Sequence, residues 1–280
     1  MKPNSTFLNL PLHFWADVRL ISERVGYSKN GVVINPSLES ILEKYNSLNF
    51  RTDHIYKNDN FTDYGQSITN YLDYRCVILN DEVEKLLMDK DEAAGIYSEM
   101  VKRLNPKCPL PLNKQKGEKA GPAFFTGIIN MLIESNIGEN PCNYDPHNLL
   151  VVSSQKRPIQ VLSRRVDGAF PSVTNPVAIW EIKEYYNTTT FGSRAADGVY
   201  ETQLDGMELQ KLFEVSREKV LHYLMIDSHN TWWNDGKAYL CRIIDMLHMG
   251  YVDEVLFGRE IFSRLPEVIP EWINKTEQSK

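Results

Sequence analysis

The amino-acid sequence predicts an α/β fold, in which helices cover both faces of a mixed β-sheet. Two observations carry this prediction. In the second half of the chain the hydrophobic patterns follow the order helix, three strands, helix, strand, helix, strand. In residues 176–186, PVAIWEIKEYY, the flanks of a predicted strand are apolar on both faces, as in the centre of a sheet.

Composition and charge narrow the classes of protein to which this chain can belong. The chain has 280 residues, of which 42% are apolar and 24% charged, enough for one large domain or two small ones. Because no apolar run approaches the roughly 18 residues of a membrane helix and no signal peptide is recognisable, we expect a cytoplasmic protein with no membrane partner. The net charge of −6 gives no support to nonspecific binding of polyanions, although a groove could still be locally basic. The four cysteines have neither zinc-site nor disulfide spacing.

The first 105 residues predict a mostly helical region. Apolar residues recur at helical spacing in residues 10–27 and 35–49, with Asn35 as the predicted N-cap of the second helix. An Asn-Gly pair between these helices predicts a turn that leads into a short strand. Two or three further helices are predicted between about residues 64 and 104.

A segment rich in proline and basic residues, 105–122, separates this region from the rest of the chain. It has no periodic apolar pattern, so we divide the chain into domains at residues 1–105 and 106–280. Beyond it, the predicted helices and strands follow in order: a helix at 123–135, strands at 148–154, 161–170 and 176–186, a helix at about 195–218, a strand at 220–228, a helix at 237–251 and a strand at 254–258.

Charged residues interrupt the strand that looks most central. Side chains of a strand alternate between its faces, so Glu181 and Lys183 lie on one face. If the preceding strand pairs with it as a hairpin, Asp167 approaches the same face. Two carboxylates suit Mg²⁺, which keeps several waters, and a lysine beside them can orient or deprotonate a water. Together these groups suit metal-assisted hydrolysis of a phosphodiester.

This pattern resembles the PD-(D/E)xK nuclease superfamily, whose members include type II restriction and anti-phage endonucleases. The resemblance covers residues 118–258, with an αβββαβ core of the restriction-endonuclease-like type. Asp167 matches the metal-binding Asp, Glu181 the second acidic ligand and Lys183 the catalytic lysine. One departure is Val166, which stands where the name-giving proline would be.

The resemblance implies a Mg²⁺-dependent endonuclease acting on double-stranded DNA, with Mn²⁺ as a substitute for Mg²⁺. It also implies a homodimer, because cutting both strands needs two sites. The helical region 1–105 would then serve in DNA recognition or dimerisation.

Further candidates lie around this constellation. Glu118 precedes the helix at 123–135, where superfamily members often carry an extra acidic residue, and Lys116 belongs to a basic cluster beside it. A solvated linker would explain both without a site. Ser193 and Arg194, at the end of the segment NTTTFGSR and beside a helix N-terminus, predict a phosphate cradle, for which a flexible loop is the alternative. Gln203 is a further candidate, because some members place a glutamine after the lysine.

Two more features allow a functional and a structural interpretation. By alternation Arg165 shares the face of Asp167, and we expect it to contact that carboxylate or DNA, with an ordinary salt bridge as the alternative. Asp197, Glu201 and Asp205 recur at i, i+4 and i+8 and so share one helix face, which a solvated surface explains.

Other functions are compatible with the same residues. One is a nuclease on other nucleic acid, gated by a partner or a ligand. Another is a non-catalytic DNA-binding module on a nuclease fold, which the intact Asp167, Glu181 and Lys183 set disfavours. A third interpretation is purely structural: an Asp-Gly turn followed by a strand whose charges face water.

Overall fold

The computed structural model describes residues 1–113, 120–186 and 193–278, and their side chains except those of residues 193, 194 and 278. The described residues contain nine α-helices: α1 Leu12–Val25, α2 Leu38–Ser47, α3 Asp63–Ile78, α4 Glu84–Leu86, α5 Lys90–Leu104, α6 Phe124–Ile137, α7 Ser193–Ser216, α8 Lys237–His248 and α9 Ile261–Gln278. No described helix is both long and apolar enough to cross a bilayer.

A mixed four-stranded sheet forms the centre of the second half of the chain. Its strands are β7 Gly168–Phe170, β8 Ala178–Glu184, β9 Leu221–Asp227 and β10 Glu254–Phe257. They lie in the order β10-β9-β8-β7, with β8 parallel to β9, β9 parallel to β10, and β7 antiparallel to β8. The predicted α/β class and the mixed sheet are confirmed.

Three pairs of short strands lie outside this sheet. They are β1 Ser28–Lys29 with β2 Val32–Val33, β3 Tyr56–Lys57 with β4 Asn60–Phe61, and β5 Val151–Ser154 with β6 Arg157–Val161, all antiparallel. The first predicted strand after α6 therefore pairs with β6 in a sheet of its own and does not join the central sheet.

The prediction of a strand over residues 161–170 is wrong for residues 162–167. Strand β6 ends at Val161 and β7 begins at Gly168, with irregular backbone between them. Within this segment Leu162 and Val166 pack into one apolar cluster, while Arg164 turns toward a group of carboxylates. In a regular strand Leu162, Arg164 and Val166 would share one face, which would place the Arg164 guanidinium beside the apolar cluster instead of beside the carboxylates.

The two faces of the sheet pack against different helices, as the alternation in β8 predicts. Ala178, Trp180 and Ile182 pack in one cluster with residues of α5, α6 and α9. Ile179, on the opposite face, packs with Leu209 and Leu212 of α7. The largest side chains of the first face are Trp180 and Trp272, whose rings are stacked at 5.5 Å.

The N-terminal part is mostly helical, as predicted, with a core of its own around Trp15, Ile41 and Tyr71. The Asn-Gly turn is also present: both residues have positive φ angles, 53° and 82°, between β1 and β2. The predicted N-cap of α2 is wrong by two residues, because the Ser37 side chain accepts the hydrogen bond from the Ser40 amide. The division of the chain at residue 105 stays a prediction.

Candidate active site

The pairing of β7 with β8 determines where the three predicted site residues lie. Gly168 is the partner of Trp180, so Asp167 comes opposite Glu181, and the Asp167 amide donates to the Trp180 carbonyl at 3.2 Å. The Asp167 carboxylate in turn accepts from the Ile182 amide at 2.8 Å. Lys183 Nζ donates to Glu181 Oε2 at 2.9 Å. The structure thus brings Asp167, Glu181 and Lys183 together.

Helix α7 covers this face of the sheet and adds two carboxylates. Glu201 Oε2 accepts from Lys183 Nζ at 2.8 Å, and Asp205, which is fully buried, accepts from Arg164 Nη1 at 2.6 Å. The expectation of a solvated face is therefore wrong for Asp205, whereas Asp197 is exposed and Glu201 pairs with Lys183 while its side chain stays 41% exposed. Their spacing of four residues correctly indicated a shared helix face, but it does not reveal what packs against that face.

Arg164 is the residue that connects strand and helix. Its guanidinium lies 3.0 Å from Glu181 Oε1, 2.6 Å from Asp205 Oδ2 and 3.2 Å from Glu201 Oε2. The sequence pattern pointed instead to its neighbour Arg165, which is exposed in the structure. Strand alternation does not apply here, because residues 162–167 are not a strand.

Charge is unbalanced in this cluster. Four carboxylates (Asp167, Glu181, Glu201 and Asp205) meet two cations (Arg164 and Lys183), which is a net charge of −2 when all are ionised. Burial and the charge of Glu181 raise the pKa of Asp167 to about 6 and that of Asp205 to about 7. Asp167 and Asp205 therefore keep their protons up to a higher pH than ordinary carboxyls do, which offsets part of the excess negative charge.

The two residues in the middle of the cluster are held in their charged forms. Burial opposes the ionisation of Glu181, but Lys183 and Arg164 outweigh it and lower the pKa of this carboxyl. Burial likewise opposes the charge of Lys183, yet Glu181 and Asp167 raise the pKa of its amino group above the ordinary value. Lys183 is thus an ammonium ion at neutral pH.

Comparison with protein families finds one match in the N-terminal region and a second match in the rest of the chain. Residues 88–272 match the model of a family described as Domain of unknown function (DUF7687), and residues 1–82 match that of another described as Domain of unknown function (DUF7690). The first match spans more than half of the sequence. The chain belongs to the DUF7687 family. No curated protein and no solved structure matches the chain.

The DUF7687 region contains the whole cluster, and its donor set fits a hard divalent cation. Asp205 Oδ1 is buried and accepts no hydrogen bond from the described residues, and Glu181 Oε1, also buried, has only its ion pair with Arg164 at 3.0 Å. Among the described residues no three His, Cys, Asp or Glu side chains are arranged to hold a metal ion. One or two carboxylates suffice for Mg²⁺, which keeps several of its waters. Asp167 and Glu181 are the pair that would hold it.

A cleft of about 450 Å³ in the DUF7687 region opens beside Asp167. It runs along the end of β8, where Ile182 and Glu184 line it, to Thr126 near the start of α6. Glu184 accepts from the Phe125 amide at 2.6 Å, and burial raises the pKa of its carboxyl to about 7. Asp167 is the member of the cluster that lines this cleft.

Of the remaining predicted residues, only Gln203 has a described side chain, and it does not join the cluster. Gln203 lies about 200° around α7 from both Glu201 and Asp205, and its amide contacts Met207 Sδ at 4.0 Å. Glu118 and Lys116 lie outside the described residues, as do the side chains of Ser193 and Arg194.

Proposed function

We propose that this chain is a metal-dependent endonuclease that hydrolyses phosphodiester bonds of double-stranded DNA, of the restriction or anti-phage type. The observation that carries the proposal is the convergence of Asp167, Glu181 and Lys183 where β7 meets β8. This arrangement agrees with the resemblance to PD-(D/E)xK nucleases, in which an Asp precedes a Glu-x-Lys strand.

Each residue has a role in this proposal. Asp167 and Glu181 hold Mg²⁺, or Mn²⁺ in its place, through carboxylate oxygens. When bound, the metal polarises the scissile phosphate and stabilises the leaving oxygen. Lys183, as an ammonium ion, orients the attacking water and stabilises negative charge that develops on the phosphate. A homodimer in the cytoplasm would supply the two sites needed to cut both strands.

A specific observation favours a gated form of the same activity as the second candidate. Glu181 and Lys183 are engaged in ion pairs with each other, with Arg164 and with Glu201. Both residues must give up contacts before they can serve a metal or a substrate. A nuclease that waits for a partner or a ligand, and that acts on DNA or on other nucleic acid, would have this property.

Cleavage assays on conservative variants test the proposal. Plasmid, phage DNA and RNA are incubated with Mg²⁺ or Mn²⁺ and the wild type, Asp167→Asn or Lys183→Met, with folding checked by circular dichroism. We expect the wild type to cut DNA and each variant to lose roughly 10²-fold or more in rate, since each removes a group from the reacting centre. Lys211→Met, an exposed lysine of α7, is the matched control.

The outcomes separate the candidates. Discrete DNA fragments from the wild type and the control alone support a sequence-specific endonuclease. Equal rates of DNA cleavage by the wild type and all variants would show that the site is assigned wrongly. No cleavage of any substrate by the wild type would count against an ungated nuclease.

A further inference from the structure

Glu201 Oε2 bridges the two cations of the cluster, as the buried Glu181 Oε2 also does. Glu201 Oε2 lies 2.8 Å from Lys183 Nζ and 3.2 Å from Arg164 Nη2. The Glu201 side chain is 41% exposed, whereas those of Glu181 and Asp205 are completely buried. Glu201 is therefore the solvent-facing member of the set, and the one that a molecule arriving from solution can displace.

Both cations stay anchored without this contact. Lys183 keeps its bond to Glu181 at 2.9 Å, and Arg164 keeps Asp205 at 2.6 Å and Glu181 at 3.0 Å. Removal of Glu201 therefore leaves an ammonium and a guanidinium in place, each with donor capacity on the side that Glu201 now covers. Two fixed cationic donors around one oxygen form a site for an oxyanion.

We propose that Lys183 and Arg164 form a binding site for a phosphate oxygen, and that Glu201 fills this site until a phosphate displaces it. The inference rests on the proposed function, which makes phosphodiester the competing anion. Glu201 then acts as an internal competitor. It neutralises the two cations in the free protein and so lowers the affinity of the site for substrate. Arg164 becomes a substrate-binding residue that the sequence pattern did not indicate.

A purely structural role for Glu201 has different consequences. If the Glu201 side chain only holds α7 against the sheet, its neutralisation lowers the melting temperature and leaves the affinity for phosphate unchanged. If it competes with phosphate, its neutralisation raises anion affinity whatever the change in melting temperature.

The test is binding of inorganic phosphate in EDTA, measured by isothermal titration calorimetry on the full chain. We expect Glu201→Gln to bind phosphate about tenfold more tightly than the wild type, because a charge-assisted contact no longer competes. Glu214→Gln is the matched control: it removes the same charge from an exposed position of the same helix and should leave the affinity within about twofold of the wild type, as expected for a screened surface charge. Adding Lys183→Met to Glu201→Gln should abolish the gain.

The readout separates this inference from the proposed function. Tighter phosphate binding by Glu201→Gln without DNA cleavage by any variant would support the anion site and count against an ungated nuclease. DNA cleavage by the wild type with equal phosphate affinity in wild type and Glu201→Gln would overturn the inference and leave the nuclease standing. A gain of equal size in Glu214→Gln would also overturn it, because the effect would then be net charge. Glu201→Ala replaces the glutamine variant if the latter does not fold.

Discussion

Asp227 illustrates how much a single buried carboxyl group contributes to the stability of the fold. It is fully buried at the end of β9, where it accepts hydrogen bonds from the Met88 amide at 2.8 Å and from the Tyr186 hydroxyl. Burial raises the pKa of this carboxyl from 3.8 to about 7. Met88 belongs to the segment between α4 and α5, so Asp227 ties that segment to the central sheet.

The raised pKa of Asp227 predicts the pH dependence of stability. Between pH 4 and pH 7 the folded protein holds a proton on Asp227 that the unfolded chain has lost, so the contribution of this group to stability is greatest below about pH 4 and is lost as the pH rises to about 7. This one group should account for a loss of roughly 2–3 kcal/mol between pH 5 and pH 8. Asp227→Asn should remove that part of the slope, which for a chain of 280 residues corresponds to roughly 3–5 °C in melting temperature.

Thermal unfolding at both pH values checks this prediction. Glu184 and Asp205, whose pKa values are also raised, keep their share of the slope in the variant. Asp59→Asn, at an exposed position in the turn between β3 and β4, is the control and should behave as the wild type. An unchanged slope in Asp227→Asn would contradict the assigned pKa.

At the scale of elements, the β7–β8 pairing determines where the candidate site lies. A Cβ atom on Gly168 would come within 2.0 Å of the Trp180 indole, so only glycine lets the two strands approach with this ring between them. The ring cannot move aside easily, because it is fully buried and stacked on Trp272. Asp167 directly precedes this glycine, so its position depends on the same close approach.

Gly168→Ala should therefore lower the free energy of unfolding by about 1–3 kcal/mol, the usual cost of overpacking. Urea unfolding provides the measurement. Gly95→Ala is the control, because a Cβ atom there meets nothing within 4 Å and Gly95 lies inside α5. That change should stabilise the protein by about 0.5–1 kcal/mol through helix propensity. Equal stability of Gly168→Ala and wild type would mean that the strands do not pair in this register.

At the scale of the whole molecule, a buried ion pair joins the N-terminal region to the α/β part. Arg75 of α3 contacts both carboxylate oxygens of Asp245 of α8, at 2.9 and 3.0 Å. Tyr71 and Ser22 complete the network, at 2.7 Å from Asp245 and from Arg75 respectively. The regions that match two separate family models are thus connected through a buried ion pair, with one partner from each region.

Removing one partner of this ion pair should strongly lower the free energy of unfolding, whereas removing both partners should lower it much less. Arg75→Met leaves Asp245 buried without its cation, which typically costs about 3–5 kcal/mol. Arg75→Met combined with Asp245→Leu should recover most of that loss. A double-mutant cycle in urea measures the coupling. Additive losses would contradict an energetic coupling between Arg75 and Asp245, and two separate unfolding transitions in the wild type would contradict cooperative unfolding of the two regions.

Patterns within the sequence were sufficient to predict the α/β class, the helical N-terminal region, the Asn-Gly turn and the shared face of Glu181 and Lys183. Each of these depends on periodicity or on the backbone preference of a residue, which act between neighbours in the chain. The tertiary structure alone decided that Arg164, and not Arg165, joins the cluster, and that Glu201 and Asp205 face the sheet. Periodicity tells which residues share a face, but the partner of that face comes from packing between elements far apart in sequence.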